Sequence, residues 1–258
     1  MKILISNDDG VTASGILSAK KAVEDLGDVT VVAPDRQQSA VGHALTLTEP
    51  LRINKTKLRD NSYGYGVSGT PTDAVTVGLF HILDEKPDLV ISGINTGFNI
   101  GKGELTTSGT LGAAFESASF SIPTIAVSQA VSNENTKFEN GEVNIDFSFA
   151  EKQLNRIAKT VLKKGLPEGV DLINVNIPAN PSDDEIEIVR LCDRMYNPFV
   201  EERKDLRGVP YYWIEGNLCK YEELDTDGYV LNIKQRTTIT PLIIDLTTDL
   251  DKIKKWFI

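Results

Sequence analysis

The sequence predicts an α/β fold in which one mostly parallel sheet lies between two layers of helices. Short aliphatic and β-branched runs alternate along the chain with segments whose apolar residues recur every three or four positions. The short runs are almost wholly apolar, as expected for strands covered on both faces. After residue 180 the pattern changes to the alternation of antiparallel strands. We therefore expect a three-layer α/β/α, Rossmann-like architecture with an antiparallel C-terminal extension.

The first strand, loop and helix are the clearest elements. Residues 3–6 form an apolar run, residues 16–26 carry apolar side chains at helical spacing, and Gly27 ends that helix. This unit sets the βα alternation that the rest of the chain repeats. Further strands are predicted at residues 28–33, 88–92, 124–128 and 171–177, and further helices at residues 72–83, 110–119 and 149–164.

Two segments depart from this alternation. Residues 45–67 are polar and β-like, which predicts a hairpin inserted in the α/β layer. The C-terminal third has three antiparallel patterns and a short final helix. We expect residues 1–180 to form the core that carries the functional site and residues 181–258 to form an extension for oligomerisation, within one continuous domain. The C-terminal strands are predicted at residues 185–191, 211–215 and 229–239, and the helix at residues 248–257.

The composition is that of an ordinary folded chain, with 40% hydrophobic and 25% charged residues. The 37 acidic and 27 basic residues give a net charge of −10, which argues against polymeric nucleic acid or an anionic membrane as a partner. Cys192 and Cys219 are too few for a disulfide framework and lack Cys-x-x-Cys spacing. Since no signal-peptide core or membrane-spanning run is present, we expect a cytoplasmic protein.

Two adjacent carboxylates follow the first predicted strand. Asp8 and Asp9, flanked by Asn7 and Gly10, come at the carboxyl end of that strand, where open α/β sheets bind ligands. Their charges repel, and a hard divalent cation such as Mg²⁺ or Mn²⁺ takes oxygen ligands of this kind. The alternative is that both residues only cap the next helix in a turn with Gly10. Two carboxylates at this strand end favour a metal site.

Two further loops contain groups suited to the same ligand. Residues 92–101 follow another strand and are rich in Gly, Asn and Thr, and Asn95 can supply an amide oxygen to the same cation. Residues 106–110 place several hydroxyl and N–H groups just before a predicted helix, which favours an anion such as phosphate. Simple turns and an ordinary helix N-cap are the alternatives for these two loops.

Several widespread motifs are missing from the sequence. Residues 97–103 are one residue too short for a P-loop and lack its magnesium-binding Ser or Thr. The first strand–helix turn has no Gly-x-Gly-x-x-Gly, which disfavours a dinucleotide-dependent oxidoreductase. With His43 and His81 as the only histidines and no Gly-x-Ser-x-Gly, zinc and serine hydrolases are also disfavoured.

Five short blocks follow one another in a specific order over roughly the first half of the chain. In order and spacing they resemble the SurE family of metal-dependent nucleotidases, also called survival protein E phosphatases. The resemblance implies a 5'-nucleotidase, or more broadly an acid phosphatase, that hydrolyses nucleoside monophosphates to nucleoside and inorganic phosphate. The blocks cover residues 3–10, 33–39, 69–75, 92–101 and 108–110.

The resemblance also implies roles for single residues. One divalent cation per subunit, Mg²⁺ or Mn²⁺, is expected, with the acidic pair also acting in catalysis. Family members often carry Tyr just before Ser-Gly-Thr, where this chain has Thr107. The implied metal ligands are Asp8, Asp9, Ser39 and Asn95. The implied phosphate or substrate contacts are Asn7, Gly10, Asn95, Ser108, Gly109 and Thr110.

The predicted chemistry is metal-assisted hydrolysis of a phosphomonoester. Whether Asp8 or Asp9 also acts as a general base is left open. A haloacid-dehalogenase-like phosphatase is the first alternative, but it needs Asp-x-Asp, and here the two carboxylates are adjacent. A nucleotide-sensing module that binds Mg²⁺ without turnover is the second alternative, and a turnover assay separates it from the enzyme.

The C-terminal segment carries large apolar residues that a short helix cannot bury alone. The clearest are in residues 242–244 and in Trp256, Phe257 and Ile258. The resemblance to the SurE family also implies a C-terminal β-hairpin and helix that are exchanged between subunits. We therefore expect a homodimer or homotetramer, the alternative being that this segment folds back on its own subunit.

Overall fold

The structure is a computed structural model that describes residues 1–131 and 145–257. Its strands are β1 (Lys2–Ser6), β2 (Asp28–Pro34), β3 (Ile53–Lys57), β4 (Tyr63–Val67), β5 (Leu89–Thr96), β6 (Thr124–Gln129), β7 (Leu172–Ile177), β8 (Ile186–Ile188), β9 (Tyr196–Lys204), β10 (Pro210–Leu218) and β11 (Thr237–Leu242). Its helices are α1 (Ser14–Val23), α2 (Pro71–Val77), α3 (Gly109–Ser119), α4 (Ser148–Lys164), α5 (Asp227–Tyr229) and α6 (Leu250–Phe257), with π-helical turns at Gly78–Ile82 and Val230–Lys234.

Nine strands form one sheet in the order β3-β4-β2-β1-β5-β6-β7-β11-β8. The neighbours from β4 to β7 are all parallel, and β11 is parallel to β8. β3 and β4 are antiparallel, as are β11 and β7. β9 and β10 form a separate antiparallel hairpin. This mostly parallel sheet with an antiparallel part near the C-terminus confirms the predicted fold class.

The central strand β1 shows how the three layers form. Successive side chains of a strand point to opposite faces of the sheet. Ile3 and Ile5 accordingly pack in the cluster that contains Leu154 of α4, whereas Leu4 packs in the cluster that contains Ala74 of α2. Because both faces of β1 are covered, the polar residues that follow it lie at the edge of the sheet rather than on a face.

The N-terminal elements agree with the prediction apart from one detail. The helix predicted at residues 72–83 is α-helical only to Val77 and continues as the π-helical turn Gly78–Ile82. It starts with a capping box, in which the Thr70 side chain accepts from the Asp73 N–H and the Asp73 carboxylate accepts from the Thr70 N–H. The inserted hairpin is β3 and β4, and it adds to the sheet edge beside β2.

The C-terminal third departs further from the prediction. The strand predicted at residues 229–239 is wrong, because Asp227–Tyr229 and Val230–Lys234 are helical and β11 starts only at Thr237. Val230 and Leu231 are adjacent and both buried, which fits a helix and not a half-buried strand. The strand at residues 185–191 shrinks to β8, and β9 was not predicted at all.

The strand β11 joins the C-terminal third to the main sheet. It lies between β7 and β8, hydrogen-bonded to both. The hairpin and α6 are by contrast exposed along most of their length. No helix in the described ranges is long and apolar enough to cross a membrane.

Candidate active site

A cavity of about 300 Å³ opens where β1 and β5 end. It lies at the carboxyl edge of the parallel strands, where this architecture binds ligands. Four of the predicted site residues line it, and loops from distant parts of the chain complete its wall. Those four residues are Asp8, Ser39, Asn95 and Ser108.

Asp8 is held by the start of α3. Its side chain is almost fully buried, and Thr110 Oγ1 donates to Asp8 Oδ1 over 2.7 Å. A Cβ added at Gly109 would lie 2.8 Å from the Cβ of Asp8, closer than such atoms approach. Glycine at this position therefore lets the helix start reach the carboxylate, and the Thr110 hydroxyl fixes the orientation of that carboxylate.

Asn7 and Gly10 shape the turn that presents the acidic pair. The Asn7 side chain accepts from the Gly10 N–H over 3.0 Å and donates to the Gly10 carbonyl over 3.1 Å. Gly10 has φ +105°, in the region that favours glycine. Neither residue is among those that line the cavity. The structure therefore places these two predicted substrate contacts behind the site, where they support the turn.

Asp9 is hydrogen-bonded to the end of β5. Its Oδ2 accepts from the backbone N–H of Thr96 over 3.0 Å. Of the two adjacent carboxylates, Asp8 is thus bonded to α3 and Asp9 to the strand that carries Asn95. Asp9 is partly buried and is not one of the lining residues of the cavity.

Asn95 presents a buried amide oxygen without a hydrogen-bond partner. A shift of the β5–β6 register between Ser92 and Asn95 precedes it. Its Nδ2 donates to the Gly97 carbonyl over 3.0 Å, while Oδ1 is buried and has no partner. Such an oxygen costs roughly 1–3 kcal/mol unless something else satisfies it. A cation in the cavity would do so.

The donor set around the cavity fits a hard cation. Within the described ranges, no three His, Cys, Asp or Glu side chains come together in a cluster that could hold a metal. The available ligands are instead two carboxylates and neutral oxygens, the set that Mg²⁺ and Mn²⁺ accept and zinc rarely uses. Asp8 and Asp9 with the Asn95 oxygen and the exposed Ser39 hydroxyl therefore fit such an ion.

The start of α3 supplies donors for an anion. Ser108 is the N-cap, and its hydroxyl accepts from the Leu111 N–H over 3.1 Å. The Gly112 N–H bonds to the Ser108 carbonyl. The N–H groups of Gly109 and Thr110 have no partner inside the helix, as is usual for a first turn. Together with the helix dipole they favour a phosphate at this end of the cavity.

Sequence reasoning did not find the opposite wall of the cavity. Met195 and Tyr196 line it, in the C-terminal third of the chain and far from the acidic pair in sequence, and Glu104 joins them. The Met195 N–H donates to Glu104 Oε2 over 3.3 Å. Burial raises the pKa of the Glu104 carboxyl above its ordinary value of 4.5, and the nearby Asp227 adds to this. No local pattern marks these residues, because only the fold brings them to the site.

A buried aspartate connects this wall to the loop after β5. Asp227 is fully buried, and its Oδ2 accepts from the Gly101 N–H over 2.9 Å. Its Oδ1 accepts from the N–H groups of Cys192 and Gly228. One carboxylate thus ties the segment before β9 to the loop that follows Asn95. This role too was not predicted.

Polar side chains of β6 and β7 fix the same loop. Asn99 donates through its backbone N–H to Asn176 Oδ1 over 2.8 Å and through Nδ2 to Ser128 Oγ over 2.9 Å. Asn174 and Asn176 donate back to the Asn99 carbonyl. The loop that carries Phe98 and Asn99 into the cavity is therefore held in one position.

Comparisons with known proteins agree with this architecture. The family model described as survival protein SurE matches residues 3–198. The chain is 63% identical over 256 residues to the 5'-nucleotidase SurE of Methanobrevibacter smithii and 53% identical over 256 residues to that of Methanosphaera stadtmanae, with 99% of each chain covered in both cases. A crystal structure of SurE protein from Aquifex aeolicus superposes with a TM-score of 0.79 at 38% identity, covering 99% of this chain and 98% of that one. The chain therefore belongs to the SurE family.

Proposed function

We propose that the chain is a metal-dependent 5'-nucleotidase that hydrolyses nucleoside monophosphates to nucleoside and inorganic phosphate. Similar proteins that carry the name 5'-nucleotidase SurE match it over nearly their whole length. The observation that carries the proposal is the buried, unpartnered Oδ1 of Asn95 beside the cavity that Asp8 lines. A cation at this point would lie next to the phosphate-binding start of α3.

The proposed metal ligands are Asp8, Asp9, Ser39 and Asn95, with one Mg²⁺ or Mn²⁺ per subunit. When bound, such an ion supplies Lewis-acid polarisation of a phosphoryl oxygen and acidification of water. Asp8 is preset for this task, since Thr110 and Gly109 hold its carboxylate in one orientation. The ligands outside the acidic pair are neutral, so Asp8 and Asp9 provide the charge that selects a cation.

The remaining chemistry depends on the residues around the phosphate. The N–H groups of Gly109 and Thr110 bind its equatorial oxygens and stabilise the charge that grows on them. Water attacks phosphorus, the bond between phosphorus and the ribose oxygen breaks, and that oxygen takes up a proton from solvent water. A carboxylate oxygen of Asp8 or Asp9 that is not engaged by the metal accepts the proton of the attacking water. Both residues are therefore our proposed catalytic residues.

A phosphate-release screen tests the proposal. All nucleoside monophosphates are assayed with Mg²⁺, with Mn²⁺ and with EDTA. We expect turnover that needs the metal and stops with EDTA. Nucleotide binding without phosphate release would instead support a sensing module, and a trapped phosphoryl-enzyme would support the aspartyl-phosphate mechanism.

We further propose that the protein is a homodimer or homotetramer in the cytoplasm. α6 has no buried residue, and Trp256 and Phe257 are each 84% exposed in the single chain. Ile258 lies outside the described residues. Every residue of β10 is likewise exposed. A partner subunit would cover these surfaces, and the free state of both cysteines is compatible with a reducing compartment.

Light scattering of a shortened chain tests the oligomer. Removal of residues 249–258 deletes α6 and leaves β11 in the sheet, so the core stays intact. We expect a smaller particle than the full chain forms. If the full chain already runs as a monomer at micromolar concentration, the proposal is wrong.

A further inference from the structure

The cavity lined by Asp8, Ser39, Asn95 and Ser108 is called the catalytic cavity from here on. A second cavity of about 280 Å³ adjoins it. The side chains of Phe98 and Val131 line both cavities. The base of the β9–β10 hairpin also closes both, because Tyr196 lines the catalytic cavity, Leu218 lines the second, and the two are paired in register. Phe98 and Val131 therefore lie at the boundary of the two cavities, so a ligand that extends from the first cavity past Phe98 would enter the second.

The two cavities differ in charge. The catalytic cavity is lined by two carboxylates, Asp8 and Glu104, whereas none of the described residues that line the second cavity is charged. Apolar side chains such as Leu218 and Leu231 are combined there with a few amide groups. An apolar pocket with a few polar groups suits a flat, neutral ring that carries hydrogen-bonding groups at its edge. A phosphate would find no cation there among those residues.

The amide groups of the second cavity are set up to accept hydrogen bonds. Asn232 Nδ2 donates to the Gly228 carbonyl over 2.9 Å, and Gln235 Nε2 donates to the Asn232 carbonyl over 2.9 Å. One of the two hydrogens of each amide nitrogen is thus engaged inside the fold, whereas no described group donates to either amide oxygen, so each amide offers more acceptor than donor capacity. The amide oxygens of Asn232 and Gln235 are the acceptors that this cavity contributes. Such acceptors recognise N–H donors on a ligand.

Size gives an independent reason to join the two cavities. Small-molecule sites usually enclose about 300–1,000 Å³. The catalytic cavity alone, at about 300 Å³, is at the lower limit. A nucleoside monophosphate has three parts, and its phosphate belongs at the polar end beside α3. The ribose and base need further space, and the second cavity offers it.

We propose that the second cavity is the nucleobase subsite and that it prefers bases with an exocyclic amino group, such as adenine. The proposal rests on the nucleotidase function proposed above. The phosphate lies at Asp8 and α3, the ribose passes Phe98, and the base enters the second cavity. Its amino group donates to the amide oxygen of Asn232 or Gln235.

Three substrates separate the contributions of phosphate, ring and amino group. They are ribose 5-phosphate, which has no base, purine riboside 5'-monophosphate, which has the ring without the amino group, and adenosine 5'-monophosphate. We expect the wild type to prefer the adenine nucleotide over the unsubstituted purine by about 3–10-fold in kcat/KM, the value of one neutral hydrogen bond. The unsubstituted purine should in turn exceed ribose 5-phosphate.

The variants Asn232→Ala and Gln235→Ala test the acceptors. At least one of them should lose the preference for the amino group and hydrolyse ribose 5-phosphate at the wild-type rate. Asn54→Ala, an exposed amide on β3 at the far end of the sheet, is the matched control and should keep the preference. Because ribose 5-phosphate does not reach the second cavity, it reports on the folding of each variant.

A cavity-filling variant gives a second test that leaves both amides in place. Leu218→Trp should lower kcat/KM for the adenine nucleotide and not for ribose 5-phosphate. The proposal is overturned if the preference survives in both amide variants and Leu218→Trp has no selective effect. It is also overturned if only Tyr196→Ala abolishes the preference, which would place the base in the catalytic cavity. Hydrolysis of ribose 5-phosphate without hydrolysis of any nucleotide would refute the nucleotidase function itself.

Discussion

The two walls of the catalytic cavity are built in different ways. The sheet-edge wall consists of Asp8, Asn95 and Ser108, which lie at or next to the ends of regular elements of the α/β core. The C-terminal wall consists of Met195 and Tyr196, which lie at the base of an exposed hairpin. The first wall is fixed by the covalent chain and the buried sheet, whereas the second depends on contacts between distant segments.

The contrast separates the groups proposed for chemistry from those proposed for recognition. The charged and hydroxyl groups that we propose for the metal and phosphate are on the sheet edge, where parallel strands all end together. The C-terminal wall offers a thioether and an aromatic ring, which suit contact with a nucleoside. The ring of Tyr196 packs against Gly216 of β10, where an added Cβ would lie 2.8 Å from the Tyr196 Cβ. The hairpin therefore positions Tyr196 in the C-terminal wall.

The largest effect is expected at the sheet-edge wall. Asp8→Asn and Asp9→Asn should each reduce phosphate release to background, because each removes half of the charge that holds the cation. Loss of a group that only supports a metal ligand costs about 10–100-fold, and loss of a ligand should exceed this. The melting temperature should hold or rise, since carboxylate repulsion in the metal-free protein is relieved.

Asp28→Asn is the matched control for these two variants. Asp28 is exposed at the start of β2, at the opposite edge of the sheet. It should leave turnover unchanged. Near wild-type release from Asp8→Asn or Asp9→Asn at saturating metal would show that the carboxylate in question is not an essential ligand.

The connection between the two walls is the next most sensitive point. Asp227→Ala removes the acceptor for the N–H groups of Gly101, Cys192 and Gly228, all of them buried. We expect a loss of roughly 2–4 kcal/mol in the free energy of unfolding, since hydrogen bonds to a charged group are worth about 1.5–3 kcal/mol each and part of the loss is recovered by relaxation. Urea denaturation measures it.

Asp225→Ala serves as the control for Asp227. Asp225 bonds to Arg190 on the surface, and exposed ion pairs contribute about 0–1 kcal/mol. Equal stability losses in the two variants would mean that Asp227 does not hold the walls together. A loss confined to Asp227→Ala should also raise KM, because Met195 and Tyr196 lose their anchor.

The sequence predicts the residues of the sheet-edge wall but not those of the C-terminal wall. Asp8 and Asn95 each come just after a predicted strand, at residues 3–6 and 88–92, so hydrophobic periodicity places them at one sheet edge without tertiary information. Met195 lies in a segment with no regular pattern. Strand β9 escaped prediction because most of its residues are exposed and its second half is a run of charged residues, so no alternation of buried and exposed positions marks it. Strand β11 was shifted because an alternating run at residues 229–233 folds as a helix once Val230 and Leu231 are both buried.

The hydroxyls of Ser108 and Thr110 at the start of α3 have different partners. Ser108 caps the helix, whereas Thr110 contacts Asp8 of the acidic pair. Thr110 was predicted to bind phosphate, yet its Oγ1 donates to Asp8. Thr110→Val should therefore raise the metal concentration needed for activity, by about 10–100-fold, rather than weaken inhibition by inorganic phosphate. A metal titration and a phosphate-inhibition assay on the same variant distinguish these effects.

Thr160→Val is the control, because its exposed hydroxyl donates only to the Arg156 carbonyl on α4. It should not change the metal titration. If Thr110→Val keeps the wild-type metal requirement and loses phosphate inhibition, the hydroxyl contacts the substrate directly, as the sequence had suggested.

The smallest effect concerns two half-buried carboxylates, Glu104 in the C-terminal wall of the cavity and Glu116 on α3. Burial raises the pKa of Glu104 beside Met195, whereas the hydrogen bond to His43 lowers the pKa of Glu116 on α3. A raised pKa means that the contribution of Glu104 to stability is complete below about pH 4.5 and is lost as the pH rises through the raised value. A lowered pKa means that the contribution of Glu116 is present above about pH 4.5 and is lost as the pH falls through the lowered value.

The two Gln variants should therefore shift the melting temperature in opposite directions at pH 8. Glu104→Gln removes a charge that opposes folding and should raise it by no more than about 2–4 °C, while Glu116→Gln removes a favourable charge and should lower it by a similar amount. Both differences should shrink as the pH approaches 4, where the wild-type carboxyl of Glu104 is itself protonated. Melting curves of the three proteins from pH 4 to pH 8 measure the effect. A lower melting temperature for Glu104→Gln at pH 8 would mean that the Met195 hydrogen bond outweighs burial and that the C-terminal wall depends on the charged form of Glu104.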